Sequence, residues 1–517
     1  MAAAVASTVI AAACTSGGGK SGASSPTTAA PSTSSSAPAV ASTQPQPATT
    51  APVSLPAVQP IAWKPCTGLD GPQGYDCGTL QVPLDYTKPG GQQIGIAVDR
   101  KAASGAKIGS LITNPGGPGA SGVDELDYLV SLLSPAVLAR FDVIGFDPRG
   151  VGRSAPVRCE TGQQLDQFLH LNPAPTTNAG FQTLLAGAKS FDQHCQAMSG
   201  SLLPFVGTVN VARDMEEIRS AVGDSKLNFF GFSYGTFLGA TYAEMFPTHV
   251  RAMVLDGALD PALDPIASNI AQAAGFDSQL SAFFDYCTGT PTCSWKPKGT
   301  PKADFDALMA RIAAQPLPGS GARTLGPGEA FFGVVQPLYD RSGWDGLASA
   351  LQRADAGDGS ALLAWSDEYT QRNANGVYSN SLEANNAVTC VDEPWPRDAT
   401  ALEQAAVTAK QRAPEFGVAD LYGALTCVDW PAPATSQPHR IVAAGSPAIV
   451  VVGSTGDPAT PYTDAQSLAS QLQHGVLLTR VGDGHTGYRS SACIRTNVDA
   501  YLVSLTVPPA GTRCPTP

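Results

Sequence analysis

The sequence predicts an α/β protein: a mostly parallel sheet covered by helices, with a large helical cap inserted before its last strands. Three observations predict it. Short apolar runs ending in turn residues recur along the chain. Segments with helical spacing separate several of them. A long stretch without that rhythm then intervenes before two more apolar runs close the series. Residues 108–117, "IGSLITNPGG", and 145–150 with the preceding "FDVI" read as buried strands stopped by Gly, Pro and Asp. "VARDMEEIRSAVG" places Val211, Met215, Ile218 and Val222 on one helical face. "KLNFF" follows as a strand, "GFSYG" as a turn, "TFLGATYAEMF" as a helix and "VRAMVLDG" as a strand. "AIVVVGSTGD" and "GVLLTRVGDGH" complete the sheet. Between them residues 263–440 read as helices and loops, as in "ASNIAQAAGFDSQLSAFFDYC". The sheet domain is therefore expected in two parts, 59–262 and 441–517, with 263–440 as the cap or lid.

The 517 residues carry a net charge of −12 with only 14% charged side chains. Phosphate binding needs a basic stripe, so this balance argues against a nucleic-acid partner. No run of 18 apolar residues occurs, so no helix is expected to span a membrane. The amino end is different. "MAAAVASTVIAAA" precedes Cys14, a short apolar run closing on small residues. Residues 1–14 are read as a lipoprotein-type signal with Cys14 as the lipidated residue, against the alternative of a plain secretory signal cut after Ala-x-Ala. Residues 15–58 are almost entirely Ser, Thr, Ala, Pro and Gly. Such a segment has no core to bury and is expected to be a disordered tether, reaching roughly 35–40 Å as a coil. The expected setting is a secreted protein held at the cell envelope, touching the membrane only through a lipid at Cys14. The "GGGKS" in this segment lacks the first glycine of a P-loop and is set aside.

Eleven cysteines include Cys14, which leaves ten for an oxidising compartment. No C-x-x-C occurs, which speaks against zinc and thioredoxin-like chemistry. Ten cysteines allow many connectivities. The short spacings favour nearest neighbours: Cys66–Cys77, Cys159–Cys195, Cys287–Cys293, Cys390–Cys427 and Cys493–Cys514.

The chemistry centres on Gly231-Phe232-Ser233-Tyr234-Gly235, a G-x-S-x-G. In a chain with 53 glycines the pattern alone is weak. Its position, where a strand meets a helix, gives it meaning as a nucleophile elbow that lifts the Ser233 hydroxyl above the sheet edge. A serine needs a base, the base an orienting acid, and the oxyanion needs donors. In chain order Ser–acid–His, His485 follows the last strand and Asp457 ends the one before it. His474 precedes its strand and lies at the wrong end. Asp483 is too close along the chain to reach around the His485 ring. Gly117, in "NPGGPGASG", and Tyr234, next after the nucleophile, are the expected amide donors of the oxyanion hole. Asp147 and Arg149 in "GFDPRGVGRS" are expected to pair and brace that loop.

"NPGGPGASG", "FDPRGVGRS", "GFSYGTFLGATYAEMFPTHVRAMVLDG", "GDPATPY" and "GDGH", in this order, resemble the actinobacterial tripeptidyl aminopeptidases, especially the mycobacterial cell-envelope serine proteases of that group. The likeness runs over about residues 63–514. It is weaker to the proline iminopeptidases, which begin the oxyanion loop with His where this chain has Asn114-Pro115. The resemblance implies an α/β-hydrolase fold and serine peptidase or esterase chemistry on a peptide or protein substrate, without metal or cofactor. Carried over, it gives Ser233 as nucleophile, Asp457 as acid and His485 as base. An exopeptidase must also hold a free amino terminus, for which "CVDEPWP" offers Asp392 and Glu393, with Trp395 as a pocket wall. An envelope esterase or lipase is the rival enzyme; an inactive binding protein is the rival from another class.

Overall fold

A computed structural model describes residues 59–68 and 71–515. The expected signal, Cys14 and the whole of the 15–58 tether lie outside the described residues. Strands β1 (Lys64–Pro65), β2 (Asp76–Pro83), β3 (Gln93–Lys101), β4 (Gly109–Asn114), β5 (Phe141–Phe146), β6 (Leu227–Phe232) and β7 (Val250–Asp256) come first. A two-stranded ribbon, β8 (Leu317–Pro318) and β9 (Thr324–Leu325), stands apart, and β10 (Ile449–Gly456), β11 (Gly475–Asp483) and β12 (Arg513–Pro515) return to the main sheet. Its ten strands run in the order β1-β2-β3-β5-β4-β6-β7-β10-β11-β12. From β5 to β12 every neighbour is parallel. The first strands are antiparallel, and the β2–β3 hairpin went unread in the sequence.

Every residue of β4, β5 and β6 is buried. Helices cover both faces of these strands, so their sequences are continuous apolar runs rather than alternations. The helix Thr208–Ala221 buries Val211, Met215 and Ile218 against this sheet, as its spacing predicts. The helix Tyr234–Met245 is buried nearly all round, because it leaves the sheet centre directly.

Between β7 and β10 the regular elements are helices apart from the small ribbon, joined by loops such as 428–448. This layer divides by packing. Phe276, Phe283, Trp295, Trp344 and Phe416 belong to an apolar core of its own. The helices Ser381–Asp392 and Ala399–Arg412 instead contribute Val388, Leu402 and Ala409 to the core of the sheet. The described residues fall in one compact unit, so the covering layer does not hang on a linker.

The structure contains the disulfides Cys66–Cys77, Cys159–Cys195, Cys287–Cys293, Cys390–Cys427 and Cys493–Cys514. Among the described residues no helix is long and apolar enough to cross a membrane.

The expected Asp147–Arg149 pair does not form. Arg149, fully buried, makes a fork to Asp214, with Nη2–Oδ1 at 2.6 Å and Nε–Oδ2 at 2.7 Å. Asp147 instead accepts from the Ser121 hydroxyl at 2.5 Å and from the Arg153 amide at 2.8 Å. A planar guanidinium needs a carboxylate facing its fork. Asp214, on the helix beside the loop, offers that geometry; a residue two positions away in a tight turn does not.

Candidate active site

Parallel strands deliver their carboxyl ends to one edge of the sheet, where α/β proteins place their sites. Ser233 follows β6 at that edge and takes φ 55° and ψ −126°. For a residue with a side chain this conformation costs about 1–3 kcal/mol and persists only where the surroundings impose it. Here the Ser233 amide donates to the Asp256 carbonyl at the end of β7, at 2.9 Å, and the Thr236 amide donates to the Ser233 carbonyl at 2.8 Å. Two glycines make room. A Cβ on Gly116 would fall 2.6 Å from the Phe232 carbonyl oxygen, and one on Gly235 would fall 2.8 Å from the Asn114 carbonyl oxygen.

Asp457 follows β10 and His485 follows β11. The imidazole Nδ1 lies 2.8 Å and 3.0 Å from the two Asp457 carboxylate oxygens. The buried Asp457 also accepts the amides of Ala459 (3.1 Å), Thr460 (2.9 Å) and Thr486 (3.3 Å). These donors hold it in place as an acceptor, so Nδ1 carries the proton and Nε2 is the free base nitrogen. That Nε2 is buried and has no hydrogen-bond partner among the described residues, Ser233 Oγ included. Such bonds are often long before substrate tightens them. The two side chains line one cavity. The imidazole lies against the end of β7 that anchors Ser233: a Cβ on Gly257 would fall 2.9 Å from its Cε1. The covering layer fixes the ring from the other side. The Tyr339 carbonyl accepts the His485 amide at 2.7 Å, and the Tyr339 ring meets the imidazole edge-on at 5.6 Å.

The rival residues are elsewhere. His474 contacts the Ser446 carbonyl and its own carbonyl accepts the amide of Ile449, at the opposite edge of the sheet. Asp483 points to Arg341.

Gly117 lies in the loop after β4 and borders the same cavity. Its φ of 107° suits glycine. Tyr234 opens the helix Tyr234–Met245, so its amide has no acceptor within the helix and points with the helix dipole toward the cavity. Behind it, the Tyr234 hydroxyl hydrogen-bonds Thr208 Oγ1. Thr208 donates its hydroxyl (2.5 Å) and its amide (2.6 Å) to Asp392. Asp392 therefore reaches the cavity wall with both oxygens engaged. Burial still pushes its carboxyl up to about 7. Glu393 beside it is pushed up to about 7 by burial and then by the charge of Asp392. Trp395 is buried and borders the cavity too.

The cavity measures about 1120 Å³. Besides the residues singled out in the sequence, its walls include Asn269, Tyr339 and Asp420 from the covering layer. No local pattern marks these three: they converge only through helix packing.

A strained serine on an elbow, a histidine oriented by a buried aspartate, and free amides at a helix start define a serine-hydrolase type of site on an α/β-hydrolase sheet. Comparison with known proteins agrees. A family described as "alpha/beta hydrolase fold" matches residues 109–296, and one described as "TAP-like protein" matches residues 413–514. Serine protease Hip1 of Mycobacterium tuberculosis is 38% identical over 477 residues, covering 88% of this chain and 91% of the relative. Carboxylesterase B of the same species is 39% identical over 457 residues (85% and 86%), and the tripeptidyl aminopeptidase of Streptomyces coelicolor 33% over 458 (86% and 84%). The chain belongs to this group of α/β-hydrolases, the tripeptidyl aminopeptidase-like serine hydrolases.

Proposed function

We propose that the chain is a serine peptidase releasing short peptides from the amino end of its substrate through an acyl-enzyme. His485 Nε2 takes the Ser233 proton as Oγ attacks the scissile carbonyl. Asp457 holds the ring and stabilises the imidazolium that forms. The amides of Gly117 and Tyr234 receive the oxyanion. The protonated His485 then gives its proton to the leaving amine. Water, deprotonated by the same nitrogen, releases the acyl group. The reading needs no metal and no cofactor.

One observation carries it: a bidentate Asp457–His485 contact leaves an unpaired Nε2 in the cavity that Ser233 also lines. The peptidase reading rather than the esterase one is supported by the cavity wall. Glu393, Asp420 and Asp464 form an acidic surround suited to a positively charged amino terminus. The names of two relatives, a serine protease and a tripeptidyl aminopeptidase, point the same way. A carboxylesterase among the relatives keeps ester hydrolysis as the second reading. Chromogenic tripeptide amides compared with short acyl esters separate the two. Efficient amide cleavage is expected; turnover of esters alone ends the peptidase reading.

Five disulfides fit an extracellular setting. Attachment to the envelope through Cys14 is part of the proposal. Radiolabelled fatty acid incorporated by the wild type and lost in Cys14→Ala is the expected result.

A further inference from the structure

Four buried polar atoms bordering the cavity have no partner among the described residues: His485 Nε2, the Trp395 indole nitrogen and two acceptor oxygens. Asp420 lies on the helix Gly417–Gly423 and Asn269 on the long helix Pro265–Gly289. Asp420 Oδ2 and Asn269 Oδ1 are those acceptors, both buried and without a hydrogen-bond partner among the described residues. Asn269 Nδ2 donates to the Asp420 carbonyl at 3.3 Å, which sets the two residues side by side. Both border the cavity that holds Ser233 and His485. Buried acceptors are seldom left unsatisfied in a native protein, and a pair of them asks for a donor with more than one hydrogen.

We propose that Asp420 and Asn269 form the subsite for the substrate's free amino terminus, its ammonium donating to Asp420 Oδ2 and Asn269 Oδ1. This rests on the peptidase reading above. An ammonium brings three donors and the charge the carboxylate lacks. Burial, with no offsetting cation, pushes Asp420 up to about 7. A neutral acyl chain brings neither.

The position is braced against the reacting groups. Gln272, one turn along from Asn269, donates to the Ala459 carbonyl at 2.9 Å, in the loop that carries Asp457. Asp277 on the same helix accepts the Phe416 amide at 3.0 Å, at the start of the Asp420 helix. The distance from the ammonium to Ser233 is thereby fixed by rigid elements. A fixed distance from a chain end to the nucleophile is a ruler: it selects where a peptide is cut, counted from its first residue.

The test compares kcat/KM for a tripeptide p-nitroanilide without lysine, with its amine free and with it acetylated, in the folded enzyme. An acetylated peptide containing lysine distinguishes a side-chain ammonium from the terminal one. Wild type is expected to prefer the free amine by roughly 100-fold or more, the scale of losing one partner of a buried charge pair. Asp420→Asn should bring that ratio to within about 10-fold, and Asn269→Leu should lower it by a smaller factor. Equal cleavage of free and acetylated peptides by wild type overturns the subsite, as does a preference that survives Asp420→Asn. A preference restored by the internal lysine assigns the site to side chains and also overturns it. If Asp420→Asn does not fold, product inhibition of wild type decides: free tripeptide must inhibit far better than acetylated tripeptide, and equal inhibition overturns the proposal. Hydrolysis of acyl esters with no cleavage of any anilide would be the failure of the peptidase reading itself. Good anilide cleavage without amine preference is the failure of the subsite alone.

Discussion

The sheet rim and the opposing helical wall enclose one cavity but are built in opposite ways. On the rim, polar groups are spent on one another. Asp457 accepts three amides and the imidazole, Ser233 is clamped by Asp256, and the base nitrogen of His485 is left over. On the wall, Asp420 Oδ2 and Asn269 Oδ1 are buried without a partner among the described residues, and burial pushes Asp420 up to about 7. Fixed partners keep reacting atoms in register through turnover. Unpaired acceptors are completed by what binds. On the proposed reading, the rim reacts with the carbonyl and the unpartnered acceptors of the wall choose which one arrives.

That contrast can be broken first at the rim. His485→Ala should lower kcat by about 10⁶-fold with the thermal midpoint unchanged, since only the base is lost. Asp457→Asn should cost about 10⁴-fold, because the amide no longer holds the ring in the working tautomer. A loss of similar size in stability rather than rate would make either residue structural.

The joint between the regions gives smaller effects. Removing the Cys390–Cys427 disulfide, which staples the end of the Ser381–Asp392 helix to Cys427 within the part of the covering layer that shares the sheet core, should lower unfolding free energy by about 2–4 kcal/mol in urea titration. Thr208→Val severs the link from Asp392 to the Tyr234 hydroxyl while keeping the Thr208 amide. We expect kcat to fall by roughly 10-fold with KM little changed, as the Tyr234 amide drifts from the oxyanion position. Loss of stability with kcat intact would confine this link to the fold.

An effect read only through pH lies behind the wall. Asp192, on the helix Asn178–Ser199, is buried with both oxygens unpartnered, and burial, then the charge of Asp429, pushes it up to about 8. The native state then keeps a proton that the unfolded chain gives up near pH 4, so stability contributed by this group falls as pH rises from about 4 to about 8. Asp192→Asn removes that dependence. Its thermal midpoint should gain on wild type between pH 5 and pH 9; parallel profiles would show that Asp192 is ionised throughout.

The rim was readable in the sequence because each of its residues sits directly after a strand, where local pattern and chain order coincide. G-x-S-x-G acquires meaning between a strand and a helix, and the strands ending at Gly456 and Asp483 announce themselves as apolar runs. The near-neighbour spacing of the cysteines likewise matches the pairs in the structure. The wall was not readable in this way. Asn269, Tyr339 and Asp420 are separated by up to 151 positions and meet only through helix packing. Arg149 shows the same limit at short range: the sequence offered a neighbour, Asp147, while the fold supplied Asp214 from another element. Asp392 could be flagged as a carboxylate near the site, but not that Thr208 already occupies it.

The most direct measurement is labelling by a fluorophosphonate, followed by identification of the modified peptide. The account predicts one label, on Ser233, absent in Ser233→Ala and strongly slowed in His485→Ala. A label on another residue, or full hydrolysis retained by Ser233→Ala, would contradict it.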